Sequence, residues 1–140
     1  MKAGRAFVDG IVGAAIMSLV MLLLRIRGVP LDIEARLAAA FGMSTPAFGL
    51  VIFLLIGGIV ALAYAAIFEW VLQEAGVGPG MLLGACNTIV AGFIWSSGGD
   101  PGKFWQHFGA AGMATLFLVH FVYGAVVGGL YHPKHRLEYR

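Results

Sequence analysis

Four apolar blocks run through this sequence, over about residues 6–26, 47–70, 81–96 and 104–131. Each is near the roughly 20 residues that an α-helix needs to cross a ~30 Å hydrocarbon layer. Because 60% of the chain is apolar and only 11% charged, against about 45–50% and about 25% in a soluble domain, the excess has to face something other than water. Its arrival in blocks makes that solvent a lipid bilayer. The expected fold class is all-α, a four-transmembrane-helix bundle forming a single integral membrane domain over residues 1–140. The short connections leave no room for an aqueous catalytic or nucleic-acid-binding domain. The net charge of +2 comes from basic residues near the helix ends, where it reflects membrane orientation rather than an acidic partner. Cys86 is alone, so it offers neither an internal disulfide nor paired metal-ligand spacing.

Lys2 and Arg5 ahead of the first block resemble the front of a secretory signal. The block ends instead in Arg25-Ile26-Arg27, and the nearest small-residue site, Ala38 to Ala40, lies well beyond it. The first block is therefore expected to remain as an anchor. Gly28 and Pro30 break it. From about 31 to 41, Leu31, Leu37, Ala38 and Phe41 share one face while Asp32, Glu34 and Arg36 point elsewhere, which suits a short interfacial helix; the competing reading is a polar loop. Pro46 opens the second span, Trp70 sits at its headgroup end, and Glu69, Gln73 and Glu74 mark the water. Gly76, Gly78, Pro79 and Gly80 read as a turn, and 96–102 as a loop. The last span is long enough that it must tilt, kink at a glycine or protrude.

Four spans place both termini on one side. That side carries Lys2, Arg5, Lys134, Arg136 and Arg140, and the other carries Arg25, Arg27, Arg36 and Lys103. The positive-inside rule then favours cytoplasmic termini.

An offset of 67 residues lays Ile56-Gly57-Gly58-Ile59-Val60 on Tyr123-Gly124-Ala125-Val126-Val127 and Tyr64 on Tyr131, and an offset of 70 lays Gly10, Ala14 and Ser18 on Gly80, Gly84 and Thr88. Such a pattern suggests a duplicated helical hairpin. Lipid tails are as apolar as leucine, so membrane helices associate through close backbone approach, which small residues permit. The four-residue spacings Gly10/Ala14, Gly57/Ala61, Gly80/Gly84 and Gly124/Gly128 mark the expected packing faces.

The Gly-rich first span, the short Pro-Leu-Asp connection, Ile56-Gly57 with Tyr64, and His120-Phe121-Val122-Tyr123-Gly124 together resemble the small bacterial inner-membrane proteins related to YagU. The resemblance covers most of the chain and implies a four-helix protein of that membrane, but no reaction, because the group has no settled biochemical function. Many such relatives carry a histidine before the Ile-Gly of the second span, where this chain has Phe53. That departure weakens any role resting on paired histidines.

Polar groups inside a bilayer are costly, so each is a candidate site or helix-to-helix glue. At ~1.5 Å rise per residue, Ser18, Asn87, Thr88, His120 and Tyr123 reach one mid-membrane layer. Asn87 is expected to find partners among Ser18, Thr88 and His120, and to hydrogen-bond across helices within a layer that includes His120 or Ser18. An intramolecular bis-histidine haem does not fit: His107 and His120 are thirteen residues apart on one helix and the other spans hold no histidine. Such a centre would need a ligand from another subunit. His107, with Lys103, Trp105 and Gln106, belongs to the interface, and His132 and His135 to a basic tail apposed to the membrane. Asp9 reads as a solvated acid or a partner of Arg5.

No nucleophile, base and orienter form a catalytic set, and no zincin or Walker pattern occurs. The sequence therefore points to a non-catalytic membrane protein, without cofactor or metal and without nucleic-acid partners. Its expected role is as an accessory or structural subunit of a membrane complex, or as a homo-oligomer, because four short helices cannot bury every glycine-lined face among themselves. The alternative is a small transporter or channel with a mid-membrane polar site around Asn87 and His120.

Overall fold

The computed structural model describes residues 1–29, 31–96 and 101–132, without the side chains of 94–96 and 101–108. It is all-helical, with no strand among the described residues. Five helices follow in order: α1 (Ala3–Ile26), α2 (Ile33–Ala40), α3 (Pro46–Ile67), α4 (Val77–Ser96) and α5 (Pro101–Leu130). Three segments, Ala3–Ile26, Pro46–Leu72 and Gly109–Leu130, are long and apolar enough to cross a membrane, and Val77–Phe93 is a shorter apolar helix.

Local chemistry sets the ends. Arg25 stands in the last turn of α1, where a cation complements the helix dipole, and Gly28 then takes a positive φ of 88° that turns the chain. Pro46 occupies the first turn of α3, where its missing N–H costs nothing. The last turn of α3 widens into a π-helix over Phe68–Leu72, closed by Gln73 at φ 56°. Gly109, at φ 61°, kinks α5, so the excess length of the last apolar block is relieved at a glycine.

Two boundaries differ from expectation. Gly78, Pro79 and Gly80 belong to the first turn of α4 rather than to a turn before it. A proline tolerates that position, and Gly80 packs against Gly124. Glu69 does not mark the water. The π-helical turn directs it inward, and its carboxylate accepts a hydrogen bond from the Tyr131 hydroxyl at 2.7 Å.

α4 packs on α5, α5 on α1, α1 on α3, and α3 on α2, whereas α3 and α4 do not pack along each other. Glycines set these approaches. A Cβ on Gly10 would strike the Gly57 carbonyl and Ala61, and one on Gly80 would strike the Gly124 carbonyl and Gly128. Ala14 against Gly57 is repeated as Gly84 against Gly124. The eight small residues anticipated from spacing therefore fill two interfaces with the same internal register, α1/α3 and α4/α5. Between α3 and α5 runs an aromatic column in which Tyr123, Tyr64, Phe68 and Tyr131 follow one another at centroid distances of 5.7, 6.3 and 6.1 Å.

α2 is a helix, and it lies on α3 because Gly49 leaves space for the Glu34 carbonyl. Leu31, Leu37 and Ala38 are buried as expected, but Phe41 is exposed and meets Phe48 edge-on. Glu34 is buried instead of solvated. Its two oxygens accept hydrogen bonds from Ser18 at 2.9 Å and Arg25 at 2.7 Å, which ties α2 to α1.

Candidate functional site

Since α3 and α4 each pack along other helices and not along each other, a gap remains between them at mid-depth. It is a half-open cavity of about 310 Å³. Met17 of α1, Leu37 of α2, Phe53 and Val60 of α3, Ala91 of α4 and Leu116 of α5 supply apolar wall, and Arg36 lies at its α2 end. Helix α2 thereby closes the side away from the termini. Arg36 is itself engaged, its Nε 2.7 Å from the Asp32 carboxylate.

Four members of the anticipated polar layer line this cavity: Asn87, Thr88, His120 and Tyr123. Ser18 does not, since it turns to Glu34. Their bonding also departs from expectation. Thr88 donates to the Gly84 carbonyl of its own helix at 3.2 Å, as a hydroxyl one turn on readily does. His120 Nδ1 lies 2.7 Å from the Leu116 carbonyl. The bond between helices is made by Tyr123, whose hydroxyl donates to the Gly57 carbonyl at 2.5 Å. Interhelical bonds of this sort contribute only about 0.6 kcal/mol on average, so the packing of α3 and of α5 on α1, rather than this bond, holds them together. Asn87, expected to be the cross-helix donor, has no hydrogen bond to any described residue; half-buried, it faces the cavity.

A second polar group sits at the end holding the termini. Asp9 is buried beside Arg5, with Nε to Oδ2 at 3.7 Å, and Arg5 also reaches the Leu130 carbonyl. Glu69 lies 3.7 Å from the Met1 amine while accepting from Tyr131. His132 keeps its Nδ1 2.8 Å from the Leu130 carbonyl. The side chains of Lys103, Trp105, Gln106 and His107 lie outside the described residues, as does His135.

Sequence reasoning missed Glu34, Glu69 and Gly49. A carboxylate near a helix end looks like a water marker until its partner is known, and the partners here stand on other helices. The one available signal was Gly49 itself, a glycine in the first turn of the span, apart from the Gly57/Ala61 face.

Among the described residues the cavity lining contains no carboxylate or thiol, and its imidazole is oriented by a backbone carbonyl. Such a set can hold an uncharged molecule by shape and hydrogen bonding. No curated protein and no solved structure matches the chain. A family model matches residues 1–138, and the chain belongs to that family, a family of unknown function (DUF6789).

Proposed function

We propose that this chain is a non-catalytic, four-span protein of the bacterial inner membrane that takes a small hydrophobic molecule from the bilayer into the cavity between α3 and α4. The carrying observation is the convergence of Asn87, Thr88, His120 and Tyr123 on one mid-depth cavity whose remaining wall, apart from Arg36 at the α2 end, is apolar. Polar groups at that depth are costly, and a cavity that gathers them is the usual form of a binding site.

Several features support the span arrangement. α4 has 20 residues, about 30 Å of helix at ~1.5 Å per residue, enough for a fourth crossing. The α1/α3 and α4/α5 contacts repeat at the offsets of the sequence match, which supports a duplicated hairpin, as parallel repeats in transporters do around midplane sites. The His120-Phe121-Val122-Tyr123-Gly124 segment supports kinship with the YagU-related proteins, and the basic residues beside both termini support a cytoplasmic location for them.

The accessory-subunit and homo-oligomer readings drew on glycine faces left without a partner. Those faces are occupied within the chain, so the transporter-like alternative, with its site around Asn87 and His120, gains the support they lose.

Ala91 is half-buried on the cavity wall, and Ala91→Phe should fill much of the space. Organic extracts of the protein purified in mild detergent should contain a hydrophobic compound, seen by mass spectrometry, that extracts of the folded variant lack. Identical extracts would contradict the proposal.

A further inference from the structure

The hydrogen-bonding inventory of the cavity restricts what it can hold. His120 is 9% exposed, and its Nδ1 lies 2.7 Å from the Leu116 carbonyl. A carbonyl oxygen only accepts, so Nδ1 carries the ring proton, and in the neutral imidazole Nε2 is left as an acceptor. Among the described residues, the buried side-chain atoms without a partner are Asp9 Oδ2 and Tyr64 Oη. Nε2 of His120 makes no hydrogen bond to a described residue, and His120 lines the cavity. It waits for a donor. Asn87, also on the lining, presents a carboxamide with no partner among the described residues, able to donate through its nitrogen and accept through its oxygen. The Thr88 and Tyr123 hydroxyl protons are already spent on carbonyls, which leaves their oxygens as acceptors.

A single ligand group that donates to Nε2 and accepts from the Asn87 amide answers both unpartnered groups, and a hydroxyl is the smallest that does so. A charged head is disfavoured, since among the described residues the lining holds no counter-charge other than Arg36, already paired with Asp32 at the α2 end. A volume of about 310 Å³ is at the lower limit for ligand pockets, which run from about 300 to 1,000 Å³. It takes a head and the first part of a hydrophobic body. The remainder would leave through the open side between α3 and α4.

We infer that the cavity binds an uncharged hydroxyl-bearing amphiphile, an alcohol or phenol on an apolar body, with its hydroxyl between His120 Nε2 and Asn87. This rests on the cavity reading above and specifies its ligand class.

The test compares radiolabelled 4-nonylphenol with nonylbenzene, identical but for the hydroxyl, on the full chain in phosphatidylcholine nanodiscs. Nonylphenol should bind saturably and about tenfold more tightly than nonylbenzene, the ratio that a net gain of about 1.4 kcal/mol from the hydroxyl's two hydrogen bonds confers. The preference should shrink in His120→Phe and in Asn87→Leu, each of which removes one of the two bonds, and fall to within about twofold when both are replaced. Two sources of such a head, a quinol and a long-chain alcohol, are told apart by competition. Whichever displaces nonylphenol better is the favoured source, and a short-chain quinone, which has no hydroxyl, should compete poorly. Equal saturable binding of both probes, abolished by Ala91→Phe, would overturn the hydroxyl inference and leave the cavity reading standing. So would a preference unchanged in both His120→Phe and Asn87→Leu, or a quinone that competes as well as its quinol. Absence of saturable binding by either probe would overturn both.

Discussion

Gly124→Val should destabilise the protein by about 3 kcal/mol or more, beyond the usual 1–3 kcal/mol of core overpacking. The neighbour of the added Cβ is backbone: the Gly80 carbonyl and the Gly84 nitrogen of α4. A flexible side chain can swing aside, but a helix backbone moves only as a body, and separating α4 from α5 forfeits the dispersion contacts along the whole interface. In a bilayer no hydrophobic gain compensates for that loss. Gly129→Val is the matched control, five residues along the same helix, where the nearest atom is the Val77 Cγ2 at an ordinary 3.6 Å. Its cost should stay below about 1 kcal/mol, the difference in intrinsic helix preference between valine and glycine being small. Denaturation in mixed micelles followed by circular dichroism gives both numbers. Equal costs would mean that α4 and α5 do not approach through Gly80 and Gly124.

Arg25→Met should release α2 from α1. Glu34 keeps only 9% of its side chain exposed, and Arg25 keeps 41%. Removing the cation strands a buried carboxylate, which in a fully enclosed pair costs about 3–5 kcal/mol. Because Arg25 is partly exposed, about 1–3 kcal/mol is the expected loss here. Ser18 can still donate one hydrogen bond to Glu34, so α2 should loosen rather than unfold the protein. Since α2 supplies Ile33, Arg36 and Leu37 to the cavity, loosening it should open the site on the side away from the termini. Hydrogen exchange at the amides of Ile33–Ala40 reads this directly. Exchange there should rise at least about fivefold over the native protein, the equivalent of about 1 kcal/mol, while amides of α1 and α5 stay protected. Unchanged protection in α2 would show that the ion pair does not hold it.

Much of this architecture is legible along the chain because the bilayer fixes two of its parameters. Helix length follows from hydrocarbon thickness, so the apolar blocks at 6–26 and 47–70 fall close to α1 and α3 with its π-helical end. Packing faces follow from residue size, so the spacing of Gly10, Gly57, Gly80 and Gly124 marks the contacts that form. Depth is legible as well, because rise per residue is constant, and Asn87, Thr88, His120 and Tyr123 do meet at one level. Direction around the helix is not. Ser18 has a suitable depth but faces Glu34, and Glu34 and Glu69 are drawn inward by Arg25 and Tyr131, residues 9 and 62 positions away in the chain. Hydrogen-bond partners were legible least of all. A Thr or His side chain can satisfy itself on its own preceding turn, and Thr88 and His120 do so, which leaves Asn87 facing open space instead of bridging helices.

Occupancy of the space between α3 and α4 is measured most directly by nuclear Overhauser contacts in nanodiscs of deuterated lipid, with 4-nonylphenol as the only protonated amphiphile and selectively labelled methyl groups. Val60 and Ala91 line the cavity from opposite helices, and Ala63 and Val8 face outward. The expected result is contact from one bound probe to both Val60 and Ala91, with far weaker contact to Ala63 and Val8. Contact to all four of equal strength, or to the outward pair alone, would contradict a ligand site between α3 and α4.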